Sequence, residues 1–153
     1  RDDPAWAARA SAFSAKVRDF SEFLVALGPA AVRHALPGRA VYQDACHLAH
    51  AQGIRLEPRA LLNAVPGLEL REIAEAELCC GSAGVWNILN PGPAADLGLR
   101  KAANVGAAEV PLLISGNPGC ALQIARAARS QGQDLQVRHI AEVLDASIRG
   151  RSL

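Results

Sequence analysis

From Arg39 onward, short β-like runs alternate with helical stretches. That alternation leaves one architecture for a chain of this size: βαβ units wound around a parallel sheet. The candidate strands are 40–43, 68–73, 112–115 and 135–137. Helices are expected over 59–64, 94–108, 120–131 and 140–148, the third opened by Gly119 and closed by Gly132. Asn90-Pro91-Gly92-Pro93 is a breaker cluster that separates a short helical turn around 85–89 from the longer helix after it. The expectation is an α/β fold with helices on both faces of a parallel sheet.

Before Arg39 the texture differs. Trp6, Ala10, Phe13, Val17, Phe20, Leu24 and Leu27 recur at alternating steps of four and three, which predicts one long helix with a buried stripe, stopped by Gly28-Pro29. All three Phe and one of the two Trp lie in this segment, so it is expected to pack as a cover on the core of the following domain. Residues 1–38 then read as a helix and linker from a preceding domain, and 39–153 as one cysteine-rich domain. The chain has no Met and opens Arg1-Asp2-Asp3-Pro4, so it is expected to be the end of a longer protein.

Composition excludes several function classes. With 153 residues the chain is one domain of ordinary size, and a mixture half hydrophobic and one-fifth charged buries a core. A net charge of +1 gives no basic field for phosphate backbones, so nucleic acid is not an expected partner. No apolar run is long enough for a membrane span and no signal peptide opens the chain, so a soluble domain is expected.

The positions of the four cysteines relative to the strands carry the functional reading. Cys46 follows the first strand, Cys79-Cys80 follow the second after a short loop, and Cys120 follows the third across Gly116-Asn117-Pro118-Gly119. In an open parallel sheet, ligands collect outside the carboxyl ends of the strands, so these distant thiols can converge on one crevice as a metal site. Cys79-Cys80-Gly81-Ser82-Ala83-Gly84 lets the backbone turn sharply and present N–H groups to an anion. The glycine-rich approach to Cys120 places that thiol at a helix start, where the dipole favours thiolate. An iron–sulfur cluster suits such loops. Three other readings stay open: buried free thiols acting as small hydrophobes, disulfides, and a structural zinc that would lack its usual pair of close Cys-x-x-Cys elements.

The remaining polar residues are less informative. His47 is read as hydrogen-bonding support around the thiols, with iron ligation as the alternative, and His50 as a surface or interface residue. His34 and His139 are taken as structural or solvent-facing. Gly81-Ser82-Ala83-Gly84 lacks the Lys of a phosphate-binding loop and the frame of a hydrolase nucleophile. Glu72, Glu75 and Glu77 read as a solvated approach to the cysteine pair.

Cys46 followed by Cys79-Cys80-Gly81 and a closing cysteine element resembles the cysteine-rich CCG domain found in heterodisulfide reductases and in the iron–sulfur subunits of 2-hydroxy-acid dehydrogenases. The stretches 42–52, 79–84 and 116–120 look like the C-terminal domain of glycolate oxidase iron–sulfur subunits, and the likeness covers about residues 39–148. It implies a Rossmann-like fold. One departure stands out: the general pattern closes with Cys-x-x-Cys, whereas Asn117 occupies the first of those positions here. Four cysteines cannot supply the five-cysteine set used in disulfide reduction, but they are enough for a conventional 4Fe-4S cubane.

The resemblance further implies Cys46, Cys79, Cys80 and Cys120 as ligands of a 4Fe-4S cluster, with zinc as the alternative, and His47, Gly81, Asn117 and Gly119 as support around them. It implies a non-catalytic redox subunit of a glycolate dehydrogenase complex. Such a subunit relays electrons toward a quinone-level acceptor from a partner that binds FAD, beside another iron–sulfur or flavin subunit. The expected place is the cytoplasm, with peripheral attachment to the membrane through the complex. A docking module of the same complex and thiol–disulfide chemistry are the competing functions.

Overall fold

The computed structural model describes residues 3–153, so the reading of the opening Arg1-Asp2 lies outside the described residues. Four strands, β1 Gly38–Gln43, β2 Leu68–Arg71, β3 Leu112–Ser115 and β4 Gln136–His139, form one all-parallel sheet in the order β2-β1-β3-β4. The expected α/β class and parallel sheet are what the chain forms. The second strand is shorter than the apolar run suggests, ending at Arg71, because Ile73 is buried in the core without being part of the ladder.

Side chains alternate between the two faces of the sheet, as the twofold repeat of a strand requires. Ala40 and Tyr42 of β1 and Leu112 and Ile114 of β3 enter a cluster with Leu61 and Leu62 of α4 (Leu56–Asn63) and Val143 and Leu144 of α8 (Ile140–Arg149). Val41 and Leu113 point the other way, to Val105 of α6 (Pro91–Gly106) and Ile124 of α7 (Pro118–Ser130). Both faces are therefore covered. That is why β3 is buried along its whole length and reads as an unbroken apolar run rather than an alternating one.

The strand order also sets the location of the crevice. The chain leaves β1 for β2 on one side, then crosses back to β3 on the other, so the connections diverge between β1 and β3. Ligands of doubly wound sheets bind at that divergence, beyond the carboxyl ends of the strands. His139 ends β4 and caps α8: its Nδ1 accepts from Ala141 N at 3.2 Å while Glu142 Oε2 accepts from His139 N at 2.7 Å.

The N-terminal segment departs from expectation. Instead of one long helix there are two, α1 Pro4–Ser14 and α2 Phe20–Leu27. Asp19 starts the second by accepting from Ser21 N at 2.8 Å, while Glu22 reaches back to Asp19 N at 2.9 Å. This reciprocal cap is a helix start, and it competes with continuation of the first helix. The aromatic stripe is not core either: Phe13 is 72% exposed, Trp6 56%, and α1 buries no residue. Covering falls to α2, which packs on α4 and sends Leu24 to the core. Periodicity identifies the apolar residues but cannot say whether anything stands opposite them.

Candidate metal centre

Three loops leave the carboxyl ends of β1, β2 and β3, and each carries cysteine. After β1, Asp44-Ala45 lead to Cys46, the first residue of the short helix α3 (Cys46–Ala49). After β2, residues 72–78 lead to Cys79-Cys80. After β3, Asn117 caps α7, its Oδ1 accepting from Cys120 N at 3.0 Å. Asparagine at this position thus serves as a helix cap, a role its short carbonyl side chain suits. Because β1 lies between β2 and β3, the Cys46 loop is flanked by the other two.

The loops are tied to one another. His47 Nδ1 lies 3.5 Å from Asn117 Nδ2, joining the first loop to the third. His50 Nε2 is 3.1 Å from the carbonyl oxygen of Glu77, joining the first to the second. A Cβ on Gly119 would stand 2.9 Å from Ser82 Oγ, so the third loop abuts the second without room between them. At Gly81 the need for glycine is stronger: φ is +88°, and a Cβ would run into the backbone carbonyl of Ala94.

The loop between β2 and the cysteine pair is not the merely solvated stretch that its glutamates suggest. Arg59 donates to both Glu72 carboxylate oxygens, at 2.7 and 2.9 Å, and to both Asp44 oxygens, at 2.7 and 2.8 Å. Glu75 pairs with Arg100 and accepts from Asn104 Nδ2 at 2.9 Å, and Glu77 pairs with Arg55. Lys101 Nζ donates to the carbonyls of Glu75 at 2.7 Å and Ala76 at 2.9 Å. The hydrogen bonds that Arg59 donates to Asp44 and Glu72 hold its guanidinium firmly protonated and hold the Glu72 carboxyl below the ordinary carboxylate value.

None of the four cysteines is paired in a disulfide; Cys80 and Cys120 are buried and Cys46 and Cys79 partly so. Cys79 Sγ accepts from Gly81 N at 3.4 Å and Cys80 Sγ from Ser82 N at 3.5 Å. Cys80 and Cys120 perturb one another. The Cys120 thiol, with Ser82 N–H and Lys101, lowers the Cys80 pKa to about 6 against the effect of burial, while Cys120 itself is pushed up by Cys80 and by burial. Cys79 is raised by burial and by the neighbouring Cys46 and Cys80 sulfurs, with Gly81 N–H opposing. Cys120 is also raised by Cys46 and Cys79, so its sulfur lies within electrostatic reach of the other three. Among the described residues, no three His, Cys, Asp or Glu side chains close on a point suited to one metal ion.

Sequence reasoning passes over Asp44, Arg59 and Lys101. A signal is present for Lys101. It falls on the stripe of α6 that also carries Ala94, Gly98 and Val105, and a charged residue on an apolar stripe marks a buried polar function. Asp44 and Arg59 have no local signal, since they meet only through the fold.

A doubly wound parallel sheet with cysteine-bearing loops at its carboxyl edge is the class of protein defined here. The sequence matches the cysteine-rich domain family, CCG, over residues 40–125, and the chain belongs to that family. It is 40% identical over 148 residues to the "Probable glycolate oxidase iron-sulfur subunit" of Bacillus subtilis (strain 168), covering 94% of this chain and 33% of that protein. It is 36% identical over 146 residues to "Lactate utilization protein A" of Geobacillus kaustophilus (strain HTA426), covering 94% of this chain and 61% of that protein. The chain thus spans about one-third to three-fifths of the length of these relatives. No helix among the described residues is long and apolar enough to cross a membrane.

Proposed function

We propose that Cys46, Cys79, Cys80 and Cys120 hold a four-iron, four-sulfide cluster, and that this domain relays electrons within a complex oxidising glycolate, lactate or a similar 2-hydroxy acid. One observation carries the reading: the loops that bear the four thiols leave the carboxyl edge of adjacent parallel strands side by side, where Cys120 is within electrostatic reach of Cys46, Cys79 and Cys80. The donor set fits the cluster. It is all sulfur, two of the sulfurs already accept backbone N–H bonds, and a cationic side chain stands nearby. A cluster bound there supplies one-electron transfer, the step needed after a flavin takes two electrons from a hydroxy acid.

The chain's own residues supply position and shielding. Gly81 and Ser82 N–H groups stabilise thiolate charge, Asn117 aims Cys120 from the first turn of α7, and the Asp44–Arg59–Glu72 ion pairs fix the Cys46 loop against the second one. The word subunit in the name of the Bacillus subtilis relative supports partner subunits; the proposal takes these to be one that carries FAD and another iron–sulfur or flavin subunit, in a complex in the cytoplasm or at the membrane's inner face. The 1–38 segment would then lead in from a preceding domain. Burial of Cys80, 1% exposed, speaks against attack by that thiol on a disulfide substrate, which needs an accessible thiolate.

The test is anaerobic purification of the full chain with its partners, followed by iron and acid-labile sulfide analysis on wild type and on Cys46→Ser, Cys79→Ser, Cys80→Ser and Cys120→Ser. The expected result is a loss of about one cluster's iron and sulfide in each variant. Full iron and sulfide content in all four would overturn the assignment, and stoichiometric zinc would turn it into a structural metal site.

A further inference from the structure

From residue 78 to residue 95, through the cysteine pair and the turn after it, the chain carries no charged residue. Neither does the stretch 111–125, which leads through Cys120 into α7. The surface these stretches present is apolar instead. Val85, Ile88, Leu89 and Leu122 are 66–74% exposed, and the short helix α5 (Trp86–Leu89) buries none of its side chains.

The two stretches meet. Asn87 N donates to Ser82 O at 3.4 Å, which ties α5 to the cysteine loop. A Cβ on Gly119, three residues before Leu122, would stand 2.9 Å from Ser82 Oγ. Beside them opens a groove of about 230 Å³ lined by Asn87 of α5, Pro91 and Leu99 of α6, and Gln123 and Arg126 of α7. Arg126 is exposed, and among the described residues no carboxylate pairs with it.

Exposed apolar side chains gathered on one face mark a docking site, and the core of a protein interface is depleted of charge. The features of this face select its occupant. A groove with an unpaired arginine on its wall suits an inserted apolar side chain with a carboxylate beside it, which a planar lipid surface does not offer. A second copy docked through the same face would bring Arg126 no carboxylate, because neither stretch contains one. The face also begins at Cys79, one of the two thiols that are only partly buried. A protein seated here covers the open side of the cysteine site, excludes water from it and fixes the distance to whatever redox group it carries.

We propose that the uncharged face of Val85, Ile88, Leu89 and Leu122, with the groove beside it, docks the subunit that exchanges electrons with this domain, through an apolar segment flanked by a carboxylate that meets Arg126. The partner's redox role rests on the cluster reading above; the docking itself does not.

The test uses the anaerobically purified full chain and, as probe, the FAD-bearing subunit recovered with it. Affinity is measured for Ile88→Asp, Leu122→Asp, Arg126→Glu and Val32→Asp, the last an equally exposed apolar residue ahead of β1, at the other end of the sheet. Ile88→Ser stands in should Ile88→Asp fail to fold. The expected result is binding at least about 10-fold weaker in Ile88→Asp and Leu122→Asp, with iron, sulfide and unfolding midpoint unchanged. Arg126→Glu should weaken binding chiefly at low salt, and Val32→Asp should bind as wild type. Wild-type affinity in Ile88→Asp and Leu122→Asp overturns the proposal, all the more if those variants lose self-association or binding to neutral lipid vesicles instead. So do equal weakening in Val32→Asp, failure to recover an FAD-bearing subunit with wild type, and weakening that comes only with loss of iron, Ile88→Ser included. Weakened docking together with full iron in the four Cys→Ser variants overturns the cluster reading and leaves the docking face standing.

Discussion

Arg59 forms a two-pronged ion pair with Asp44, Nη1 to Oδ1 at 2.7 Å and Nη2 to Oδ2 at 2.8 Å, beneath the loop that carries Cys46. Asp44 is 4% exposed, so the pair cannot be replaced by water if one partner is lost. Arg59→Met leaves a buried carboxylate without its partner and is expected to destabilise the domain by about 3 kcal/mol, read as a lower denaturant midpoint. A midpoint within error of wild type would mean that Asp44 finds another partner.

The same guanidinium holds Glu72 ionised. Hydrogen bonds from Arg59 lower its folded pKa below the ordinary value of 4.5, outweighing the opposite effect of burial. For a carboxyl so lowered, the stabilisation is complete above the ordinary value and is lost as pH falls through the folded one. Melting temperatures measured from about pH 7 down to about pH 3 should therefore fall more steeply in wild type than in Glu72→Gln, the two curves converging at the acid end. Parallel curves would show that the pair contributes nothing to stability.

Gly81 and Gly84 form a matched pair for testing the cysteine loop. Both have positive φ, +88° and +64°, but a Cβ at Gly84 meets open space while one at Gly81 meets the Ala94 carbonyl. Gly84→Ala should cost about 1 kcal/mol from conformation alone. Gly81→Ala should cost at least about 2 kcal/mol more and reduce iron loading, because Cys80 must move with the loop. Equal stability and equal iron content in the two variants would show that the contact is not a constraint.

The exposed aromatic stripe predicts no effect within this chain. Phe13 is 72% exposed on a helix that buries no residue, so Phe13→Ser should leave the unfolding midpoint unchanged to within about 0.5 kcal/mol. A loss near 3 kcal/mol, typical of a buried phenylalanine, would mean that α1 packs on the domain in solution.

Much of the fold is legible in the residues. The alternation of β-like runs with helical stretches, and the breakers at Asn90-Pro91 and Gly132, suffice because strand and helix periods are local properties. The N-terminal stripe is legible as apolar but not as exposed, since the cap at Asp19 and Glu22 splits the helix and local periodicity carries no information on what lies opposite. At the site, the cysteines and Asn117 can be singled out by their place after strands, whereas Glu72 and Glu75 look solvated because Arg59 and Arg100 reach them only through the fold.

By itself the sequence determined the element types, the sulfur-only donor set and the glycine positions that let a backbone turn close to it, all consequences of residue chemistry and short spacing. The tertiary structure alone decided that β1 sits between β2 and β3, which brings thiols far apart along the chain to one edge, and that Lys101 is enclosed against the carbonyls of Glu75 and Ala76. The reason is physical: strand order and the burial of a charge depend on which surfaces meet across the sheet, and those contacts join residues that no local pattern relates.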